Sequence, residues 1–172
     1  MNAELLVDSL ARFGRLLPAV VDGIADADLR WRPPNGNWSI LEIVCHLRDE
    51  ETEDFGKRLR LTLEDPTLPW PGIDPEGWAR EREYNDQDVG TAVDAFAAAR
   101  QQSVAWLRGL KNPAWTNTYE HPLAGELSAG DLLAAWAAHD QLHLRQIAKR
   151  LYELNCRDAA PFRSHYAGSW SA

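Results

Sequence analysis

Residues 132–151 read LLAAWAAHDQLHLRQIAKRL and form the main apolar stretch near the C-terminus. Leucine, alanine and tryptophan recur at helical spacing, which predicts a helix with one face buried in a core. His139 and His143 lie on that same face, one helical turn apart. Because a buried imidazole without a partner is costly, this helix predicts a polar site inside an apolar core.

Three further helices are predicted on either side of proline-rich breaks. Ser39 and Glu42 form a capping-box pattern at the start of the second helix, and Ser128 has a capping pattern at the start of the fourth. Asn85 or Asp86 is the expected cap of the third helix. The predicted helices cover residues 3–24, 39–63, 85–110 and 128–155. WRPPNGN (31–37) cannot be helical, and TYEHPLAGELS (118–128) predicts a short extended turn.

These elements predict an all-α fold, a four-helix bundle with a long irregular connection between helices 2 and 3. That connection, EDPTLPWPGIDPEGW (64–78), contains four prolines, and loops of such length are often functional. With 172 residues the chain suits a single domain, 1–172, with an irregular tail at 157–172.

Composition argues against several classes of protein. The formal net charge is −8, which opposes a nucleic-acid-binding surface. No apolar run is long enough for a membrane helix, and the N-terminus lacks a signal pattern, so a cytoplasmic location is expected. The two cysteines form no CxxC pair and are expected to be reduced.

A third histidine, His46, lies at the edge of the apolar face of the second helix. If helices 2 and 4 adjoin, His46 would meet His139 and His143, and three imidazoles would leave one position of a metal open, as in catalytic zinc sites. The alternative is that each ring bonds an ordinary polar neighbour. A two-metal oxygen-activating centre is disfavoured, because only one Asp140-x-x-His143 pattern occurs.

Residues 30–51, 68–88 and 136–147 resemble the DinB-like superfamily in motif and in order. They read RWRPPNGNWSILEIVCHLRDEE, LPWPGIDPEGWAREREYNDQD and WAAHDQLHLRQI. The likeness extends from the first helix to about Leu151. It implies a four-helix bundle with a metal held by one histidine of helix 2 and an HxxxH pair of helix 4, which here are His46, His139 and His143.

The resemblance also implies a function, a thiol-dependent S-transferase or isomerase acting on a small electrophile. Its cofactors would be a divalent metal ion, zinc or else nickel, and a low-molecular-weight thiol. A metal-dependent small-molecule hydrolase and a non-catalytic metal or ligand binder are the alternatives. The resemblance also implies a homodimer, and the apolar side chains expected at its interface are Phe162, Tyr166 and Trp170 of the tail.

Other residues near these motifs have competing interpretations. Glu50 is the candidate catalytic residue, as acceptor of a hydrogen bond from water on the metal, unless it is only one acid of a solvated DEETED run. Asp140 could act as a general base, but is expected to face solvent or a neighbouring helix. Cys45 is expected to be a small core residue, so that a substrate thiol is the nucleophile.

Four further side chains have no assigned part in the chemistry. His121 and His165 fall in irregular segments and do not join the triad by spacing. Trp70 and Trp78 are expected either to wall the mouth of a pocket or to cap the end of the bundle.

Overall fold

The computed structural model describes residues 1–170. Residues 171 and 172, the end of the predicted irregular tail, lie outside the described residues. The elements are α1 (Ala3–Val21), α2 (Asp26–Leu29), α3 (Ile40–Asp49), a π-helical segment (Glu50–Phe55), α4 (Gly56–Glu64), α5 (Pro75–Glu81), α6 (Val89–Gly109), β1 (Thr118–His121), β2 (Gly125–Ser128) and α7 (Ala129–Asp158). Short 3-10 turns lie at Tyr84–Asp86 and His165–Ala167.

Four long helical units form the bundle, which confirms the predicted fold class. Three of them are the single helices α1, α6 and α7. The fourth is a continuous unit made of α3, the π-helical segment and α4. Helix α1 packs against α6 and α7, and α3 packs against the same two helices. The second unit is therefore a neighbour of α7, as convergence of the predicted metal ligands requires.

Local signals set the ends of these helices. Ser39 and Glu42 form the predicted capping box, with the Ser39 amide donating to Glu42 Oε2 at 2.8 Å and the Glu42 amide donating to Ser39 Oγ at 3.1 Å. Ser128 and Asp131 form a second box at the start of α7. The predicted extended turn is an antiparallel hairpin of β1 and β2, closed by Gly125 with φ +73°.

Several details of the predicted elements differ from the structure. The connection at 64–78 is only partly irregular, because Asp74 caps α5 and Pro75 occupies its first position, where the missing N–H has no cost. The cap of α6 is Asp88, which accepts from the Thr91 amide at 2.7 Å. Asn85, one of the two predicted caps, instead accepts from Ser39 Oγ at 2.6 Å. The predicted irregular tail also begins too early, since α7 continues to Asp158.

The second helical unit widens into a π-helix just after His46. The π-helical segment directs Glu50, Glu51 and Asp54 into the bundle, where all three are buried. Gly56 follows, and a Cβ there would lie 2.5 Å from the Glu51 carbonyl oxygen, so the residue must lack a side chain. Such segments are frequent at functional sites, because the extra residue re-aims side chains.

None of the helices within residues 1–170 combines the length and the apolar character needed to span a membrane.

Candidate metal centre

The three predicted ligands meet between α3 and α7. His46 Nε2 lies 3.0 Å from His143 Nε2 and 3.3 Å from His139 Nε2, and the last two atoms are 2.9 Å apart. His46 and His143 are buried, whereas His139 is partly exposed. The HxxxH spacing brings two rings together within one helix, and the packing of α3 against α7 adds the third.

Hydrogen bonds among the rings cannot satisfy this triangle. Each Nε2 either carries a proton or offers a lone pair, so at most two of the three pairs can match a donor with an acceptor. Ligand nitrogens held about 2.0–2.1 Å from one ion, at tetrahedral or octahedral angles, lie about 2.9–3.4 Å from one another. The observed spacings therefore fit a shared metal ion, which would satisfy all three lone pairs together.

The protonation state of the rings also suits a metal. Burial lowers the pKa of His46 to about 3, with a further contribution from His143. Burial likewise lowers the pKa of His139 to about 3 and that of His143 to about 4. All three rings are then neutral near pH 7, which is the form that binds a metal.

Neighbouring side chains orient the rings. His143 Nδ1 is 2.8 Å from Gln146 Oε1, which places the proton on Nδ1 and leaves the Nε2 lone pair free for the triangle. Trp38 lies beside His46, with ring centroids 5.0 Å apart, and Phe55 lies beside His139 at 4.9 Å. No role was predicted for Gln146, Trp38 or Phe55, although Gln146 follows His143 at helical spacing.

Glu50 is buried beside the triangle, so its interpretation as one acid of a solvated run is wrong. Its Oε1 lies 3.8 Å from His46 Nδ1, and neither atom has a hydrogen-bond partner among the described residues. Burial and the neighbouring Asp54 raise the pKa of Glu50. Unpaired buried polar atoms are rare in proteins, and they mark this corner as a place for a ligand, water or ion.

A buried ion-pair network, absent from the sequence predictions, lies next to the histidines. Arg100 of α6 donates to both oxygens of Asp140, at 2.6 and 2.9 Å, and to Glu51 Oε2 at 2.8 Å. Trp136 Nε1 donates to the same Glu51 oxygen, and Arg100 also bonds the Leu10 carbonyl of α1. One guanidinium thereby links all four units. Its signal in the sequence is an arginine on the buried stripe of α6.

Asp140 points toward a neighbouring helix, which was one of its two predicted orientations. Its carboxylate faces α6, and both oxygens accept hydrogen bonds from Arg100. Burial raises the pKa of Asp140 to about 6, an effect that Arg100 opposes. An acid held in this way orients α7 and does not face the histidine triangle as a general base would.

The remaining candidates lie apart from the triangle. His121 Nδ1 accepts from the amides of Leu123 and Ala124 in the hairpin, and His165 is exposed in the tail. Trp70 stacks on Tyr119 at 4.2 Å, and Trp78 packs against the core. The aromatic side chains next to the histidines are Trp38 and Phe55 instead.

Cys45 is expected to be unreactive in the folded protein. Its side chain is fully buried, and burial raises the pKa of the thiol to about 11, so little thiolate exists at pH 8. Cys156 is partly exposed. A thiol-reactive dye at pH 8 should label one cysteine rapidly and the second only after denaturation. Fast labelling of Cys45, identified by peptide mapping, would contradict the described packing.

Comparison with known proteins places this geometry in context. "Putative metal-dependent hydrolase OB0413" of Oceanobacillus iheyensis is 27% identical over 131 residues, 76% of this chain and 75% of that protein. A "Putative metal-dependent hydrolase" of Bacillus pumilus is 25% identical over 147 residues, 85% of this chain and 83% of that protein.

A solved structure shares the fold. It is that of YfiT from Bacillus subtilis, described as "a probable metal-dependent hydrolase with an unusual four-helix bundle topology". The two structures superpose with a TM-score of 0.80 at 18% identity, over 89% of this chain and 87% of YfiT. At this identity the likeness establishes the fold alone.

The family follows from the whole length of the bundle. The sequence profile of the DinB superfamily matches residues 9–147, which include at least part of each of the four helical units and contain His46, His139 and His143. The chain belongs to the DinB superfamily.

Proposed function

We propose that this protein is a metal-dependent hydrolase of small molecules, with His46, His139 and His143 as the ligands of a divalent metal ion. The observation that carries the proposal is the convergence of three neutral Nε2 atoms within 2.9–3.3 Å of one another. A divalent ion in such a site lowers the pKa of bound water toward about 7 and supplies a nucleophile at neutral pH.

Three protein ligands favour a catalytic over a closed structural site. Among residues 1–170 the cluster has three members, and the Glu50 carboxylate approaches His46 at Nδ1, 3.8 Å away, and not at the Nε2 atom of the cluster. A closed site would need a fourth protein ligand, which was the feature expected of a non-catalytic binder. Partial exposure of His139 leaves one side of the cluster open to solvent.

The names of the relatives favour hydrolysis over thiol transfer. Both quoted relatives are named as metal-dependent hydrolases. The thiol-dependent S-transferase predicted from sequence has no support in these comparisons, and it stays a prediction together with its thiol. Zinc is the favoured ion and nickel the alternative. The homodimer, the cytoplasmic location and the absence of nucleic-acid binding stay predictions too.

One assay separates hydrolysis from thiol transfer. Protein stripped with a chelator and reloaded with zinc or nickel is incubated with a panel of esters, amides and small electrophiles, with and without thiols. The proposal expects metal-dependent hydrolysis that needs no thiol. Turnover only in the presence of a thiol would replace it with the transferase, and no turnover with either would replace it with a binder.

Glu50 is proposed to donate a proton during hydrolysis, because burial and Asp54 raise its pKa to about 9 and keep it protonated near pH 7. Its buried, unpaired Oε1 lies 3.8 Å from a ligand ring. Replacing Glu50 with Gln should lower kcat by about 10²–10⁴-fold, because an amide of the same shape cannot release a proton. The metal content of Glu50→Gln should stay at the level of the unmodified protein. An unchanged kcat would show that Glu50 only positions His46.

A further inference from the structure

A cavity of about 670 Å³ lies at the C-terminal side of the histidines along α7. Its walls come from the segment before α3, from α3 itself, from α5, from α7 and from the tail. Leu142, Arg145, Gln146 and Lys149 of α7 line it, a set with the i, i+3, i+4, i+7 spacing of one helix face. The volume suits a small organic molecule.

Two residues join this cavity to the metal ligands. Trp38 lines the cavity and also lies against the His46 ring, with centroids 5.0 Å apart. Gln146 lines it and also bonds His143 Nδ1 at 2.8 Å. A molecule in the cavity therefore sits one side chain away from the histidine triangle.

The charges of the lining favour an anion. The lining has three cationic side chains, Arg145, Lys149 and Arg150, and one acidic side chain, Glu76. Arg150 is already used, since it pairs with Glu153 and donates to the Trp38 carbonyl at 3.0 Å. Within residues 1–170, neither Arg145 nor Lys149 lies within 4.0 Å of a carboxylate oxygen, so both cations are available to a ligand. Such cations stand out on a chain of net charge −8.

Part of the lining is apolar and aromatic. Trp38, Ile43, Leu142 and Trp170 supply flat or branched hydrocarbon surface. Along α7, Arg145 and Lys149 are two and six residues beyond His143, or about 3 and 9 Å of helical rise. Measured along the helix axis, both cations therefore lie within the length of a small molecule of His143, from which Gln146 and Trp38 separate the cavity.

We propose that this cavity is the substrate-binding site and that it selects a small organic anion, with its anionic group between Arg145 and Lys149 and its apolar body against Trp38. This proposal rests on the proposed function and adds to it the class of substrate that the metal site would act on. Arg145 and Lys149 are specificity-determining residues, because they contact the end of the substrate that does not react.

Calorimetric binding of benzoate and of its neutral analogue benzamide to zinc-loaded protein tests the proposal. Benzoate should bind at least about tenfold more tightly, a preference worth about 1.4 kcal/mol. The double variant Arg145→Gln, Lys149→Gln should lose that preference while it keeps its zinc. The control Lys111→Gln, an exposed lysine outside the cavity lining, should keep both.

His143→Ala separates the cavity from the metal. Benzoate should still bind this variant within a few-fold, since the two cations are untouched. Loss of benzoate binding there would place the carboxylate on the metal and overturn the proposal. Equal affinity for benzoate and benzamide, or a double variant indistinguishable from the parent, would overturn it as well. In those cases unchanged zinc content and hydrolysis would leave the proposed function standing.

Discussion

His143→Ala is expected to reduce bound zinc from about one ion per chain to background and to lower metal-dependent hydrolysis by at least about 10²-fold. His143 Nε2 lies within hydrogen-bond distance of both other ligand atoms. Its removal leaves only two protein ligands, which are too few to hold the metal ion tightly. Elemental analysis of freshly purified protein measures the metal, and the ester and amide panel measures the activity.

The matched control is His165→Ala. His165 is exposed in the 3-10 turn of the tail and contacts none of the three ligands. Its replacement should leave the metal content and the hydrolysis of the protein unchanged. Undiminished stoichiometric metal in His143→Ala would remove the proposed site, and an equal loss in both variants would show that the assay reports general damage.

Arg100→Met is expected to lower the free energy of unfolding by about 3–5 kcal/mol. The arginine is the charge partner of two buried carboxylates, Glu51 and Asp140, and methionine fills a similar volume without compensating either charge. The fit is close, because a Cβ on Gly14 of α1 would lie 2.8 Å from Arg100 Cγ. Urea denaturation followed by far-UV circular dichroism measures the change.

Arg108→Met supplies the control within the same helix. Arg108 also pairs with a carboxylate, Asp8 at 2.7 Å, but both side chains are more than half exposed. Its loss should cost less than about 1 kcal/mol, because solvent screens the pair. If Arg100→Met does not fold, Arg100→Lys keeps the charge without the forked geometry and should lose stability by an intermediate amount. Equal costs for Arg100→Met and Arg108→Met would contradict the network.

Much of the fold was predictable because its signals are local. Apolar periodicity and the caps at Ser39 and Ser128 act within a few residues, and each helix that they indicated is present. The errors also have local causes. Pro75 follows a capping aspartate and begins α5, whereas prolines in such a stretch were interpreted as signs of a loop.

The candidate site was predictable only in part. His46, His139 and His143 were identified from motif and resemblance, and the structure brings them together. Gln146 and the burial of Glu50 were not foreseen. The DEETED run appears solvated by composition, but Glu50, Glu51 and Asp54 are buried because a π-helical turn rotates them into the bundle. Composition carries no record of that rotation.

The sequence by itself determined the four long helical units, the bundle class and the pair of histidines one helical turn apart, since each depends on interactions between residues three or four positions apart. The tertiary structure decided the rest. It joined His46 to ligands 93 and 97 residues away, buried Arg100 between Glu51 and Asp140, and opened a cavity beside Gln146. These features depend on which helix faces pack together, and that choice is made by the free energy of the whole core.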